Sequence, residues 1–181
     1  MKLKHISKTD KGLVRPVNED NLDVLINNSG EYSNIYIVCD GMGGHVGGAK
    51  ASQIAVSSIK EYFSHTPSNN PNTALKEAIE MANMQILGEA TVNPEFKGMG
   101  TTVTVLVECD GVIYIAHVGD SRIYIINDNK LNRLTKDHSY VQSLVDAGEL
   151  LDSEMESHPR KNELTRALGI SQDVDVEVVA K

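Results

Sequence analysis

The stretch Ile35-Tyr-Ile-Val-Cys-Asp-Gly-Met-Gly-Gly-His-Val-Gly-Gly-Ala-Lys-Ala-Ser52 decides how this chain folds. Residues 35–39 are apolar and mostly β-favouring, which predicts a buried strand. Gly41 to Gly48 then holds five glycines, and helix-like sequence begins at about Ala49. An acid, Asp40, therefore stands where a core strand runs out into a loop whose bare backbone can approach a ligand closely. Two familiar glycine-rich motifs fail here. A dinucleotide fingerprint starting at Gly41 meets Val46 where it needs Gly or Ala, and a phosphate-cradling loop needs Gly before Lys50 rather than Ala49. An acid followed by a flexible backbone carbonyl suits a hard metal ion better, because such ions take oxygen ligands.

Working outward, Asn21 to Asn27 alternates around Leu22, Val24 and Ile26, and pairs with residues 35–40 across a turn at Asn27-Asn28-Ser29-Gly30. Residues 2–8 read as a short strand, followed by a polar loop from Thr9 to Asp20. Ala51, Ile54, Ala55, Ile59, Tyr62 and Phe63 form one helical stripe, broken by Pro67 to Asn72. Leu75, Ala78, Ile79, Ala82, Ile86 and Leu87 form a second, with Asn72 or Thr73 as its N-cap. Beyond a Pro- and Gly-bearing link the texture turns to β: Thr101–Cys109, Val112–Val118, Arg122–Ile126 and Leu131–Leu134. Asp110-Gly111 and, more weakly, Asp128-Asn129 mark the turns of an expected meander. A helix follows from Ser139 to Gly148, then a charged irregular run, then a strand from Val174 to Val179.

At 181 residues, 40% of them hydrophobic and 23% charged, the chain fits a single domain with a real core. A net charge of −8 speaks against nucleic-acid and anionic-membrane partners. It also sets a puzzle for any phosphate substrate, which bound divalent cations would resolve by reversing the local sign. Cys39 and Cys109 lie in apolar runs without a Cys-x-x-Cys pair, as reduced core thiols do. No apolar signal core or membrane-length run is evident, so the expected location is cytoplasmic.

Charge recurs where the local pattern does not ask for it. Arg15 precedes Glu19 and Asp20 in a proline-stiffened loop, and a guanidinium is well shaped to grip phosphate in two places. Gly119-Asp120 repeats the arrangement at Asp40-Gly41, a carboxylate at the end of an apolar strand. Carboxylates gathered at sheet ends are costly unless something positive sits among them.

Six segments, taken in order, carry a resemblance: Arg15-x-x-Asn18-Glu19-Asp20, Asp40-Gly-Met-Gly-Gly-His45, Gly100-Thr-Thr, His117-Val-Gly-Asp-Ser-Arg122, Leu134-Thr-x-Asp-His138 and Leu164-Thr-Arg-Ala-Leu-Gly169. The set resembles that of the metal-dependent serine/threonine protein phosphatases, the protein phosphatase 2C-like family, in its bacterial form. The resemblance implies an α+β fold, a four-layer α-β-β-α sandwich of two antiparallel sheets flanked by helices. It implies hydrolysis of phosphoserine and phosphothreonine on proteins by metal-activated water, a signalling activity opposed by a serine/threonine kinase. Asp40 would bridge two Mn²⁺ or Mg²⁺ ions with the Gly41 carbonyl as a further ligand. Glu19 would serve the second ion, with Asp20 in support, and Asp120 a third, weaker one. Arg15 would hold the substrate phosphate, and His45 would give a proton to the leaving oxygen.

The pattern stops short at its end. The family's later Ser-Asp-Gly and Asp-Asn segments, each a source of metal-ligating aspartate, do not occur after Gly169. The expectation is one catalytic domain over residues 1–181, lacking its last strands, with a flap-like segment over about 137–169. A strand-exchanged dimer would complete such a sheet. With few carboxylates to hold the ions, weak turnover is expected, and a module that binds phosphoprotein partners without turnover stands as the second reading.

Overall fold

Alternation of Ile35, Ile37 and Cys39 with Tyr36, Val38 and Asp40 gives the central strand two unlike faces. A computed structural model describes residues 4–26, 34–43, 46–65 and 70–181. The strand, β2, spans Asn34–Met42 and follows β1, Asp20–Ile26, to which it pairs antiparallel. The turn expected at 27–30 lies outside the described residues. A two-residue strand, β3 (Gly100–Thr101), pairs with Gly41 and Met42 at the end of β2. Beyond β2 come β4 (Val103–Cys109) and β5 (Val112–Val118), all antiparallel. The turn between them, Asp110-Gly111, has both φ angles positive, 51° and 80°, as a tight two-residue hairpin needs.

Helices α1 (Gly47–His65) and α2 (Pro71–Val92) cover one face of this sheet. Their alanines (Ala51, Ala55, Ala74, Ala78, Ala82) are fully buried and let the helices pack closely, while Ile59, Leu75, Ile79 and Ile86 fill the space above Val103, Val105 and Val107. Each fully buried Leu or Ile contributes about 1.5–3 kcal/mol. Helix α2 starts two residues earlier than its stripe predicts. Asn70 is the N-cap, its side chain accepting from the N–H groups of Asn72 and Thr73 at 3.0 and 3.3 Å. Pro71 sits at the first helical position, where a missing N–H is harmless.

Other expectations are corrected. Residues 4–8 form no strand and are exposed, leaving β1 as an edge strand of the sheet. The run Thr101–Cys109 breaks at Thr102, whose backbone bonds to Asp40 instead. The meander does not continue past β5. Strand β6 (Tyr124–Asn127) pairs with β7 (Lys130–Arg133) in a separate hairpin, turning through Asp128 and Asn129 at φ of 50° and 61°. The segment leading into β6 lies against the uncovered face of the main sheet, where Thr104 Oγ1 donates to the Ser121 carbonyl at 3.5 Å. Helix α3 (Tyr140–Asp146) packs on the short helical turn Asp152–Ser157. The last strand, β8 (Glu177–Ala180), starts later than expected and pairs with β5, giving the order β1-β2-β4-β5-β8. The fold is α+β with antiparallel sheets. Among the described residues the second sheet consists of the β6–β7 hairpin.

Candidate active site

Three close approaches build one wall of a cleft at the end of β2. The Glu19 carbonyl accepts from Gly41 N–H at 3.1 Å and from the Ser52 hydroxyl at 2.6 Å. A Cβ at Gly41 would lie 2.0 Å from the Gly48 carbonyl oxygen, and one at Gly48 only 2.4 Å from Glu19 Oε1. These glycines let the first turn of α1 press onto the strand end while the Glu19 carboxylate fits between them. That carboxylate also lies at the electropositive end of the helix.

Hydroxyls fix the next group. Asp40 N–H donates to Thr102 Oγ1 at 3.0 Å, and the Asp40 carbonyl accepts from Thr102 N–H at 2.9 Å and Thr101 Oγ1 at 3.0 Å. The Asp40 backbone is thus held on both sides, opposite its cross-strand partner Asp20. Thr102 Oγ1 also bonds Ser121 Oγ at 2.8 Å, tying this strand end to the loop that carries Asp120. Gly119 has φ +111°, and a Cβ there would meet the Thr102 side chain at 2.6 Å, so only glycine turns the chain so tightly. His138 locks that turn: its N–H donates to the Gly119 carbonyl at 2.7 Å, and its Nδ1 accepts from Gly119 N–H at 3.1 Å.

Arg15, Glu19, Asp40, Gly41 and Asp120 all line one cleft of about 320 Å³. Asp20 stands behind Asp40 in the register, and His45 lies outside the described residues. Arg15 is exposed at the rim, with Nη1 3.8 Å from Glu19 Oε2. Thr102, Asn162 and Leu164 complete the lining. The hydroxyl bonds of Thr102 were not foreseen, although a Thr-Thr pair at the start of a strand was a visible signal. Asn162 carried no signal; it reaches the cleft because Tyr140 N–H donates to the Glu163 carbonyl at 2.8 Å, folding residues 140–163 back on themselves.

The cleft's electrostatics are unbalanced. Asp40 is pushed up to about 6, first by burial among protein atoms, then by the charge of Asp20 and a hydrogen bond shared with it, then by Asp120 and Glu19. Asp120 is raised by burial and by the nearby charge of Asp137. Glu19 Oε1 is buried and has no hydrogen-bond partner among the described residues. An orphaned carboxylate oxygen beside three more acids is costly as it stands and fits a hard cation. The donors are not tightly gathered, however: among the described residues no group of three His, Cys, Asp or Glu is set to hold a metal ion. A cation at this cleft would keep water in several of its positions.

The sequence matches the family model described as Protein phosphatase 2C over residues 14–171. It is 39% identical over 174 residues to the serine/threonine phosphatase stp of Listeria welshimeri, covering 94% of this chain and 68% of that one. The crystal structure of the serine/threonine phosphatase Stp1 from Staphylococcus aureus superposes with a TM-score of 0.88 at 32% identity, over 100% of this chain and 75% of that one. The catalytic domain of the serine/threonine protein phosphatase PstP, crystallised in complex with 2 manganese ions, superposes at 0.81 with 30% identity, over 96% of this chain and 70% of that one. With the family model running from the rim arginine's neighbour Val14 past Gly169, this chain belongs to the protein phosphatase 2C family.

Proposed function

We propose that the chain hydrolyses phosphoserine and phosphothreonine esters on proteins at a two-cation centre of Mn²⁺ or Mg²⁺. The observation that carries this is the acidic lining of one cleft: Glu19, Asp40, the Gly41 backbone and Asp120 face it together, and Glu19 Oε1 is buried without a hydrogen-bond partner among the described residues. The relatives support the same chemistry, being serine/threonine phosphatases, one of them crystallised with manganese. Asp40, Glu19 and the Gly41 carbonyl would hold the two cations, and Asp120 a third, weaker one. Bound divalent cations supply water of lowered pKa for in-line attack on phosphorus and positive charge for the phosphoryl oxygens.

The chain's own residues do the rest. The exposed Arg15 guanidinium offers two parallel N–H donors to the phosphoryl oxygens at the cleft mouth. Thr101 and Thr102 keep the Asp40 backbone from moving as charge changes around it. Asp20, the cross-strand partner of Asp40, stands beside it and adds negative charge for a cation to balance. His45 is assigned the proton for the leaving serine or threonine oxygen. Residues 137–169 act as a flap beside the cleft, into whose lining Asn162 and Leu164 reach. Among the described residues no helix is long and apolar enough to cross a membrane. The substrates assigned to the chain are cytoplasmic phosphoproteins, in signalling opposed by a serine/threonine kinase.

The test is hydrolysis of a phosphothreonine peptide, with Mn²⁺ uptake followed in parallel by calorimetry. Slow, Mn²⁺-dependent phosphate release, abolished by EDTA and by Asp40→Asn, is expected. Mn²⁺ uptake without turnover would turn the assignment to a phosphoprotein-binding module. No Mn²⁺ uptake at all would overturn the metal centre.

A further inference from the structure

Helix α2 carries one polar side chain sealed inside its apolar stripe. Asn83 is 1% exposed, between the fully buried Ala82 and Ile86. Its Oδ1 accepts from Gly169 N–H at 2.8 Å, and its Nδ2 donates to the carbonyls of Ser171 and Gln172 at 2.9 and 3.0 Å. An amide is costly to bury unless bonded, and packing alone would favour another Ala or Leu here. The three bonds all go to one turn, 169–172. That turn is already pressed on the helix: Gly169 has φ +84°, and a Cβ there would lie 2.5 Å from Ile86 Cγ2.

The turn is joined to the cleft by a short chain of bonds. Leu168 N–H donates to the Thr101 carbonyl at 2.9 Å, and Thr101 N–H donates back to the Leu168 carbonyl at 3.2 Å. Thr101 Oγ1 donates to the Asp40 carbonyl, and Thr102 bonds both the Asp40 backbone and Ser121, the neighbour of Asp120. Leu164, four residues before Leu168, lines the cleft itself. So the far end of the 137–169 segment and the backbone of Asp40 share one anchor.

We propose that Asn83 is a positioning residue for the catalytic cleft: it pins the 169–172 turn to α2 and, through the Leu168–Thr101 pair, holds the Asp40 backbone in place for its cation. This rests on the functional reading above. It makes a prediction that a purely packing role does not. Breaking the latch should loosen the cleft, whereas a loss of apolar packing alone on the same helix should not. Ile79→Val supplies that comparison, shortening a fully buried side chain four residues earlier that takes no part in these bonds.

The experiment pairs Mn²⁺ titration by calorimetry with amide hydrogen exchange of the metal-free protein, on the whole chain, below each variant's melting point. For Asn83→Ala, Mn²⁺ affinity should fall by about fivefold or more, as for residues coupled through one hydrogen-bond network. Exchange at the amides of Thr101, Thr102 and Leu168 should quicken selectively. Ile79→Val should leave both unchanged. Wild-type affinity in Asn83→Ala, or an equal change in both variants, overturns the proposal. If the wild-type chain takes up no Mn²⁺, the functional reading falls by itself and exchange alone decides: selective quickening upholds the latch, uniform or absent quickening refutes it. Should Asn83→Ala fail to fold, Asn83→Ser, which leaves a smaller void, is measured against the same criteria.

Discussion

Strand β2 carries two regions back to back. On the helix side Ile35, Ile37 and Cys39 are 2%, 1% and 0% exposed and belong to the apolar core. Burial pushes the Cys39 thiol far up, so it stays protonated and inert. At the open end of the same strand, Asp40 shares a cleft with Glu19 and Asp120 beside its partner Asp20, and among the described residues no cation offsets the charges that act on it. Arg15, at 3.8 Å from Glu19 and mostly in solvent, offsets little. One region holds the fold together. The other costs folding energy and is kept for what binds there.

The sharpest way to break that contrast is to damage the first region and watch the second. Ile79→Ala removes a fully buried side chain under α2 and should destabilise by about 2–5 kcal/mol, read from urea unfolding. Mn²⁺ affinity of the folded fraction should stay as it was. A matching fall in affinity would mean that the two regions are not separable.

A medium-sized effect separates the regions by pH. His117, 2% exposed, lies on the uncovered sheet face, its ring centroid 4.9 Å from that of His138. Its Nδ1 bonds Thr104 Oγ1 at 2.9 Å, and its Nε2 has no partner among the described residues. Burial, then the charge of His138, lowers it to about 4, against the opposing pull of Glu177 and Asp137. Its folded pKa lies below its unfolded one, so between pH 6.5 and 4 the unfolded chain binds more protons and stability falls on acidification. The loss should be roughly 1–3 kcal/mol. It is best measured in Asp40→Asn, where the opposite titration of Asp40 is absent. His138, lowered by burial as well, adds to the same loss, and a flat pH profile there would show that neither histidine is held neutral by the fold.

How much of this could be read beforehand differs by region too. The buried strand, both helical stripes and Asp40 with its glycines were legible, because each is written in neighbouring residues. The start of α2 was misplaced because Asn70-Pro71 sits outside the apolar stripe that locates the helix. Pairing of β5 with β8 was invisible because a partner some sixty residues away leaves no local mark. Thr102 could be seen as part of a motif, yet its bonds to Asp40 and Ser121 depend on where two distant loops meet. Asn162 and Asn83 matter only through chain segments that fold back on them. Acids at strand ends announce themselves; the groups that hold them still do not.

The smallest effect bears most directly on the second region. In EDTA, Asp40→Asn removes one of four crowded charges and leaves an amide able to bond Asp20. The folded pKa of Asp40 is raised to about 6, above its unfolded value, so its charged form is penalised in the fold. That penalty is full above pH 6 and is relieved as the carboxyl takes up a proton on acidification. Because Asp40 is partly open to solvent, screening should limit the gain from Asn to about 1 kcal/mol. At pH 8 the variant should therefore melt about 2–4 °C higher than wild type, the advantage shrinking below pH 6 and gone near pH 4. Adding Mn²⁺ should invert the order, since only the wild type then has its carboxylate neutralised by a bound ion. An Asp40→Asn protein no more stable than wild type at pH 8 without metal would mean the acids are already balanced. The cleft would then have no electrostatic need of a cation.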